Sequence, residues 1–474
     1  MRRRQFAQLS AYFLGGVVAS CSRSSGTLLS NPETAQGPLQ IWWQEGFYPE
    51  EIDALTRIIR RWEIESDKPV DLTVIPQKDI IPSVERALVA GELPDIFYSG
   101  AADLTIIPRL AWNDQLTDVS DVITPLKDRY TDNALTGVNY QNRLANSRSY
   151  YAVPLMQSAI HIHYWEDLLV NKIGERRVTI PKNWQDFWQF WQDTQAELQG
   201  DGSAGDGVDG GTGIYGVGMP MSLSLDTYNN FEQFLEAYNV RILDEAGNLN
   251  VAQPETRQAL LAALTDYTRF YKNGAVPPDA VDWDNTGNNV SLLSRNSLMT
   301  VNHTLSAPGS QRSDEEVYYK KLSTVKWPSR PNGDAMRFVI ELKQAVIFKQ
   351  SSQQQAAKDF LAYLAQPENL ATYTKGAQGR YLPVMPELLD DPFWQEARDP
   401  HISVALEQLQ ETRAAYQVFN PAYGEVAAQN VWGQVIRKIA VDNLSLEKAT
   451  DEAIDLIEGI FSAWAQDSAV GASK

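Results

Sequence analysis

Between Leu39 and Tyr98 the chain alternates strand-like and helix-like apolar patterns, and this alternation restricts the fold more than any other feature. Leu39-Gln40-Ile41-Trp42-Trp43 is an apolar run of strand length. Pro49 then stands at a first helical position, followed by Glu50 and Glu51, which suit a helix N-terminus. Ile52, Leu55, Ile58, Ile59 and Trp62 recur at helical spacing on one face. Residues 70–75 read as a second strand. Ile80, Ile81, Val84 and Leu88 mark a second helix that Gly91 ends, and 95–98 form a short third strand after Pro94. The order β-α-β-α-β predicts a parallel sheet with helices on its faces. In such sheets ligands lie beyond the C-terminal ends of the strands.

Past Tyr150 the order is similar and the pieces are longer. Residues 159–164 read as a strand, and 183–198 as a helix carrying Trp184, Phe187, Trp188 and Trp191. Residues 200–213 (GDGSAGDGVDGGTG) are a low-complexity loop. Asp201, Asp206 and Asp209 within it miss the spacing of a calcium loop, so a solvated loop is expected. Segments 227–238 and 254–271 look helical, 298–301 and 345–348 strand-like, and 353–364 helical. The tail from Asn430 to Trp464 reads as two helices broken near Asn443. A length of 474 residues, with 15 Phe, 13 Trp and 20 Tyr, supports two or three domains with full-sized cores.

Met1 to Cys21 reads as a targeting segment. Arg2-Arg3-Arg4 is a charged start, and Phe6 to Val18 is mostly apolar but too short to span a bilayer. Val18-Ala19-Ser20-Cys21 resembles a bacterial lipobox, whose cysteine is lipidated and becomes the new N-terminus. Arg3-Arg4-Gln5-Phe6 partly resembles the twin-arginine export motif. Residues 1–20 are therefore expected to be a signal peptide, and 21–38 a lipidated tether, small and polar (SRSSGTLLSNPETAQGP after Cys21). The only cysteine being Cys21, a disulfide scaffold is excluded. The formal net charge of −19 becomes three more negative without the leader's arginines, which disfavours nucleic acid and anionic ligands. A neutral ligand meets no such obstacle. Walker A, Rossmann, HExxH and Gly-x-Ser-x-Gly fingerprints are absent, and no cofactor is expected.

Several segments together resemble a known family. IWWQEGFYPEEIDAL is followed by VERALVAGELPDIFYSG. Tyr151-Ala152-Val153-Pro154 precedes HIHYWEDLL. Then come Pro181-Lys182-Asn183-Trp184-Gln185-Asp186-Phe187, LLSRNSLMTVNHT, AAKDFLAYL, and Gly379-Arg380-Tyr381-Leu382-Pro383-Val384. In order and spacing these resemble the family 1 extracellular solute-binding proteins of ABC sugar importers, the maltose-binding-protein type. Arg295-Asn296-Ser297 departs from the family's usual Gly-Ala-Ala before Met299. The resemblance implies an α/β, two-lobed periplasmic-binding-protein fold, with parallel-rich sheets flanked by helices and a ligand cleft between the lobes. The N-terminal lobe would take 39–155 and 302–350, and the C-terminal lobe 156–301 and 351–474.

Sugar recognition needs aromatic faces for C–H patches, and carboxylates, amides or guanidinium groups for hydroxyls. Trp43, Gln44 and Glu45 follow the first strand, the alternative for the tryptophan being burial. Trp42 and Trp43 point to opposite faces, so at most one lines a cleft. Ser99 to Asp103 follow the third strand, and Asp103 could equally cap a helix. Asp226 could bind hydroxyls or cap the helix that follows it. Trp283 and Asp284, in Val281-Asp282-Trp283-Asp284-Asn285 after Pro277-Pro278, are the most suggestive pair, because turns seldom use a tryptophan. Asn302 and His303 end a strand where the family crosses between lobes. Arg380 and Tyr381 sit in a Gly-flanked loop. Tyr423 and Trp432 resemble the aromatics of the family's final cleft segment, with core packing as the alternative. His161 and His163 would share one face of a strand; core or hinge packing is expected there rather than a metal site.

The expectation is a non-enzymatic, monomeric binding lipoprotein that hands a neutral sugar, oligosaccharide or sugar-like compatible solute to ABC permease subunits. It would touch the membrane only through its lipid, on the periplasmic or cell-surface side. Two rivals stand beside it. One is an exported carbohydrate-active hydrolase or lyase. The other is a polyamine-binding protein in which Glu45, Asp103, Asp226 and Asp284 converge.

Overall fold

The computed structural model describes residues 37–173, 179–200, 213–244, 246–396 and 398–471. The leader, Cys21, nearly all of the tether and the glycine-rich stretch 201–212 lie outside the described residues.

Strand β1 (Leu39–Gln44) pairs in parallel with β2 (Val70–Ile75) on one side and with β3 (Ile96–Tyr98) on the other. Helices α1 (Pro49–Ser66) and α2 (Gln77–Ala90) connect them, so the alternation in sequence yields the β-α-β-α-β unit. Pro49 opens α1, which buries Ala54, Leu55, Ile58, Ile59 and Trp62. Glu51, in the first turn of α1, accepts the N–H groups of Phe47 (3.1 Å) and Tyr48 (3.3 Å), which have no partner within the helix. Gly91 ends α2 in the left-handed region at φ 74°, its N–H on the Ala87 carbonyl.

A hairpin follows, β4 (Asn139–Asn142) with β5 (Ser147–Tyr150), and then β6 (Val153–Ser158) and β7 (His161–Trp165). The remaining strands are β8 (Tyr215–Gly218), β9 (Ser297–Asn302), β10 (Leu322–Val325), β11 (Phe338–Ile347), β12 (Leu382–Pro383) and β13 (Thr412–Ala414). They build two sheets. The first runs β12-β6-β11-β3-β1-β2, with β13 beside β11, and the second runs β10-β7-β9-β8. Both are mixed: β8 and β9 are parallel, whereas β7 pairs antiparallel with β9 and β10, as β11 does with β3 and β6. The chain leaves the first sheet between β6 and β7 and returns between β10 and β11. The Trp327 indole N–H on the return donates to the Ile160 carbonyl on the way out, at 3.2 Å, and ties the two crossings together.

The boundary between lobes differs from the expected one. Residues 322–325 belong to the second sheet, not to the first lobe. The helices Gln354–Leu364 and Pro367–Gly376, with β12 and β13, pack on the first sheet although 351–474 was expected to lie wholly in the second lobe. The physical reason is a close fit that periodicity does not encode. A Cβ at Gly376 would come within 2.7 Å of the Ala54 Cβ, so that helix lies tight against α1, and the Tyr373 hydroxyl accepts the Trp43 indole N–H at 2.9 Å.

The second lobe is centred on aromatic packing. Trp188, on the helix Trp184–Gly200, lies 5.6 Å from Phe234, 5.0 Å from Phe270 and 5.9 Å from Trp327, ring centre to ring centre. The tail forms the helices Val431–Ala440 and Leu446–Gly471, with Asn443 at φ 54° between them, where the sequence places the break. Among the described residues no helix is long and apolar enough to cross a membrane.

Candidate functional site

The strand ends of both sheets meet at a polar crevice. From the first lobe, Gln44 ends β1, Gly100 and Ala101 follow β3, Glu341 and Lys343 stand two apart on β11, and Arg380 and Tyr381 precede β12. Phe47 and Gln77 complete that side. The second lobe contributes Asn302, His303 and Thr304 from the end of β9, Asp226 and Asn229 from the helix Leu225–Ala237, and Asn285, Thr286 and Asn289. The cavity between these walls is about 70 Å³.

Its charges are compensated within the protein. Glu341 meets the Lys343 ammonium at 2.7 Å and His303 Nδ1 at 3.0 Å, and Lys343 also donates to the Gly100 carbonyl at 2.7 Å. Burial alone would raise the Glu341 carboxyl, but His303 and Lys343 overcome it and hold it below the usual carboxylate range. The Arg380 guanidinium lies 3.6 Å from Glu51, between the rings of Phe47 (4.8 Å) and Tyr381 (4.7 Å). Asp226 differs. Burial, and secondarily the Glu341 charge, push its carboxyl up to about 7, against the attraction of Arg380.

Amides and hydroxyls fix the second wall. Asn302 donates to the Asn289 side-chain oxygen and to Ser306 Oγ at 3.3 Å, and Asn289 donates to the same Oγ at 3.0 Å. The Thr304 N–H closes back on the Asn302 oxygen at 3.0 Å. On the first wall the Gln44 oxygen accepts from Ser99 Oγ at 3.0 Å and from the Gly100 N–H at 2.9 Å.

Of the residues singled out in the sequence, Gln44, Asp226, Asn302, His303, Arg380 and Tyr381 line this crevice. Ser99 stands behind Gln44 and holds it. The others go elsewhere. Trp43 is fully buried and stacks on Tyr98 at 4.3 Å, because its face of β1 is the one that α1 and the helix Pro367–Gly376 cover. Glu45 is exposed. Asp103 neither caps a helix nor reaches the crevice; one oxygen accepts the Leu342 N–H at 3.1 Å and pins β11, and burial pushes its carboxyl up. The cap of the helix Leu225–Ala237 is Ser224, whose hydroxyl accepts the Thr227 N–H, so Asp226 is not its cap. Tyr423 and Trp432 are core residues; both donate to Glu232 Oε1, the indole at 3.0 Å. Trp283 and Asp284 border neighbouring cavities outside the crevice, and Asp284 accepts from the N–H (2.8 Å) and hydroxyl (2.7 Å) of Thr286.

His161 and His163 are buried. His163 Nδ1 lies 2.8 Å from Thr324 Oγ1, which in turn lies 2.7 Å from His401 Nδ1, so these imidazoles brace β7 against β10. No group of three metal-ligating side chains occurs among the described residues.

Sequence reasoning missed Glu341, Lys343, Phe47, Gln77 and Asn289, and within the stretch 281–285 it favoured Trp283 and Asp284 over Asn285, the one that lines the crevice. A signal for the first two was present: FVIELKQAVI is an apolar strand interrupted by two opposite charges at the spacing that puts both on one face.

A sequence profile described as "Bacterial extracellular solute-binding protein" matches residues 63–403. No curated protein sequence matches the chain. Among solved structures, maltose-bound MalE3 from T. maritima superposes with a TM-score of 0.70 at 17% identity, covering 89% of this chain and 99% of that one. A solute-binding protein of an ABC transporter from Thermotoga Lettingae TMO, bound with alpha-D-tagatose, gives 0.70 at 18% identity over 90% and 100%. UgpB from Mycobacterium tuberculosis in complex with glycerophosphocholine gives 0.67 at 18% identity over 91% and 100%. At such identities the likeness establishes the fold, the two-lobed periplasmic-binding-protein architecture.

Proposed function

The chain belongs to the bacterial extracellular solute-binding protein family, and from that premise we propose that it captures a neutral polyhydroxylated solute between its lobes and hands it unaltered to an ABC permease. The solute is a sugar, an oligosaccharide or a sugar-like compatible solute. One observation carries this reading: the crevice takes its lining from both lobes, pairs Glu341, Lys343 and Arg380 within the protein and presents mostly amides and hydroxyls beside Phe47 and Tyr381. Glu341 and Arg380 already have partners, so the site favours a guest that needs hydrogen bonds and ring faces rather than a counter-charge. The ligands named for the structural neighbours, maltose and alpha-D-tagatose, are of that class.

The mechanism is a population shift. Ligand contacts made by the second lobe stabilise a closed arrangement over an open one, with the crossings near Ile160 and Trp327 as the flexing segments. The polyamine alternative loses support, because Glu45, Asp103, Asp226 and Asp284 do not converge. A hydrolase would use a pair of carboxylates free for acid and base work. Of the two that line the crevice, Glu341 is held by Lys343 and His303.

Isothermal titration against mono- and oligosaccharides, polyols, glycerophosphocholine and spermidine tests the ligand class, with product analysis of the same samples. Binding of a sugar or polyol with no product is the expected result. Binding confined to spermidine, or release of product, overturns the reading. The leader supports a membrane-anchored lipoprotein on the periplasmic or cell-surface side, exported by the general or the twin-arginine route. Replacing Cys21 by Ser should move the protein from the membrane to the soluble fraction; unchanged fractionation removes the lipid anchor.

A further inference from the structure

Resting on the carbohydrate reading above, we propose that Trp283 is the platform of an outer subsite, beyond the crevice, where the far end of a bound oligosaccharide stacks. The subsite thus makes affinity depend on chain length.

The first argument is space. The crevice holds about 70 Å³, well short of the roughly 300–1,000 Å³ of sites that enclose a ligand. It does not end there. Leu225 and Asn285 line both the crevice and a cavity of about 550 Å³ on whose wall Trp283 stands. The cavity that holds the indole is therefore the crevice's direct neighbour, and an oligosaccharide with one end in the crevice would pass Leu225 and Asn285 to reach it.

The second argument is the indole itself. Trp283 packs at the edge of the core, is only half-buried, and also borders a further cavity of about 600 Å³, so part of the ring stays open toward these spaces. Its base is seated on glycine: a Cβ at Gly287 would come within 2.5 Å of both Cβ and Cγ of Trp283. The missing side chain lets the backbone close against the root of the ring and fix its direction, as a stacking platform requires. An aromatic left partly open costs the protein burial energy, and here it is held in place without being fully covered.

The third argument is the polar surround. Asp282 is exposed and lies 3.5 Å from Arg437, and both border the same cavity as the indole. A ring face flanked by a carboxylate and a guanidinium matches a pyranose, which presents C–H groups on its face and hydroxyls at its edge.

The test is titration of the full chain with maltose through maltopentaose and laminaribiose through laminaripentaose, for the native protein, Trp283→Ala and Trp283→Phe. In whichever series binds, Trp283→Ala should lose tenfold or more on the pentasaccharide and less than twofold on the disaccharide, and Trp283→Phe should recover most of the loss. Asp282→Asn and Arg437→Gln alter surface side chains and leave the fold intact; they should weaken the pentasaccharide more than the disaccharide. Equal losses at every length, or none at any length, overturn the subsite even though sugar binding stands. A native protein that binds neither series overturns the subsite; the carbohydrate reading stands if a sugar or polyol binds instead, and falls with the subsite if only a solute that is neither a sugar nor a polyol binds.

Discussion

Arg380 shows what a single buried charge does in this molecule. Its guanidinium lies between two rings and faces Glu51, which also caps α1 through the Phe47 and Tyr48 N–H groups. Removing the cation leaves a buried carboxylate without its partner, a change that typically costs about 3–5 kcal/mol. Arg380→Met should therefore lower stability by that order in urea titration, and adding Glu51→Gln should restore a large part. A double variant no better than the single one would show that the pair is not coupled. Asp226 bears on binding rather than folding. Its carboxyl, pushed up to about 7 by burial and by Glu341, ionises in the neutral range, and only the ionised form accepts hydroxyl hydrogen bonds on both oxygens. Affinity for a sugar should tighten as pH rises from 6 to 8, and Asp226→Asn should flatten the profile. A profile of the same slope in the variant would exclude Asp226 as its source.

At the scale of elements, the strands of the second sheet are braced by neutral imidazoles. His163 on β7 contacts Thr324 on β10, and burial, then the neighbouring His401, lower its pKa to about 3. The consequence for stability has a definite sign. The unfolded chain takes up a proton near 6.5 and the folded chain does not, so the contribution of His163 is complete above 6.5 and declines as pH falls toward 3. The slope is at most about 1.4 kcal/mol per pH unit for one such group. Asp226, raised to about 7, works in the opposite direction over part of that range, so the comparison with a variant isolates the histidine. The melting temperature of the native protein should fall relative to His163→Gln as pH drops from 7 to 5; a constant difference would show that His163 does not control the acid limb. The same scale explains why the helix Pro367–Gly376 sits on the first sheet: its small final residue admits α1 to within contact distance.

For the whole molecule the central property is closure of two lobes on one guest. A ligand that binds only the folded state, present at a hundred times its dissociation constant, should add about 2.7 kcal/mol of stability. The shift in melting temperature should come with a smaller radius of gyration in X-ray scattering and an unchanged far-ultraviolet circular dichroism spectrum, because lobes would move as bodies while helices and strands persist. Stabilisation without any contraction would mean that the crevice fills without closing.

Sequence alone determined the elements that depend on neighbours along the chain. Pro49 and the 3.6-residue stripe from Ile52 to Trp62 specify α1, Gly91 specifies the end of α2, and Asn443 specifies the break in the tail, because each acts through local backbone preference. Six of the fourteen side chains singled out for ligand contact reach the crevice, those at strand ends, in the loop before β12 and, for Asp226, in the first turn of a helix. The tertiary structure alone decided the rest. Whether Trp43 faces ligand or core depends on which helix covers its side of β1, and whether Tyr423 meets a sugar or Glu232 depends on a contact 191 residues away. Pattern along a chain reports which side of an element is apolar. It carries no information on which distant surface that side will meet, and the site of this protein is built from such distant meetings.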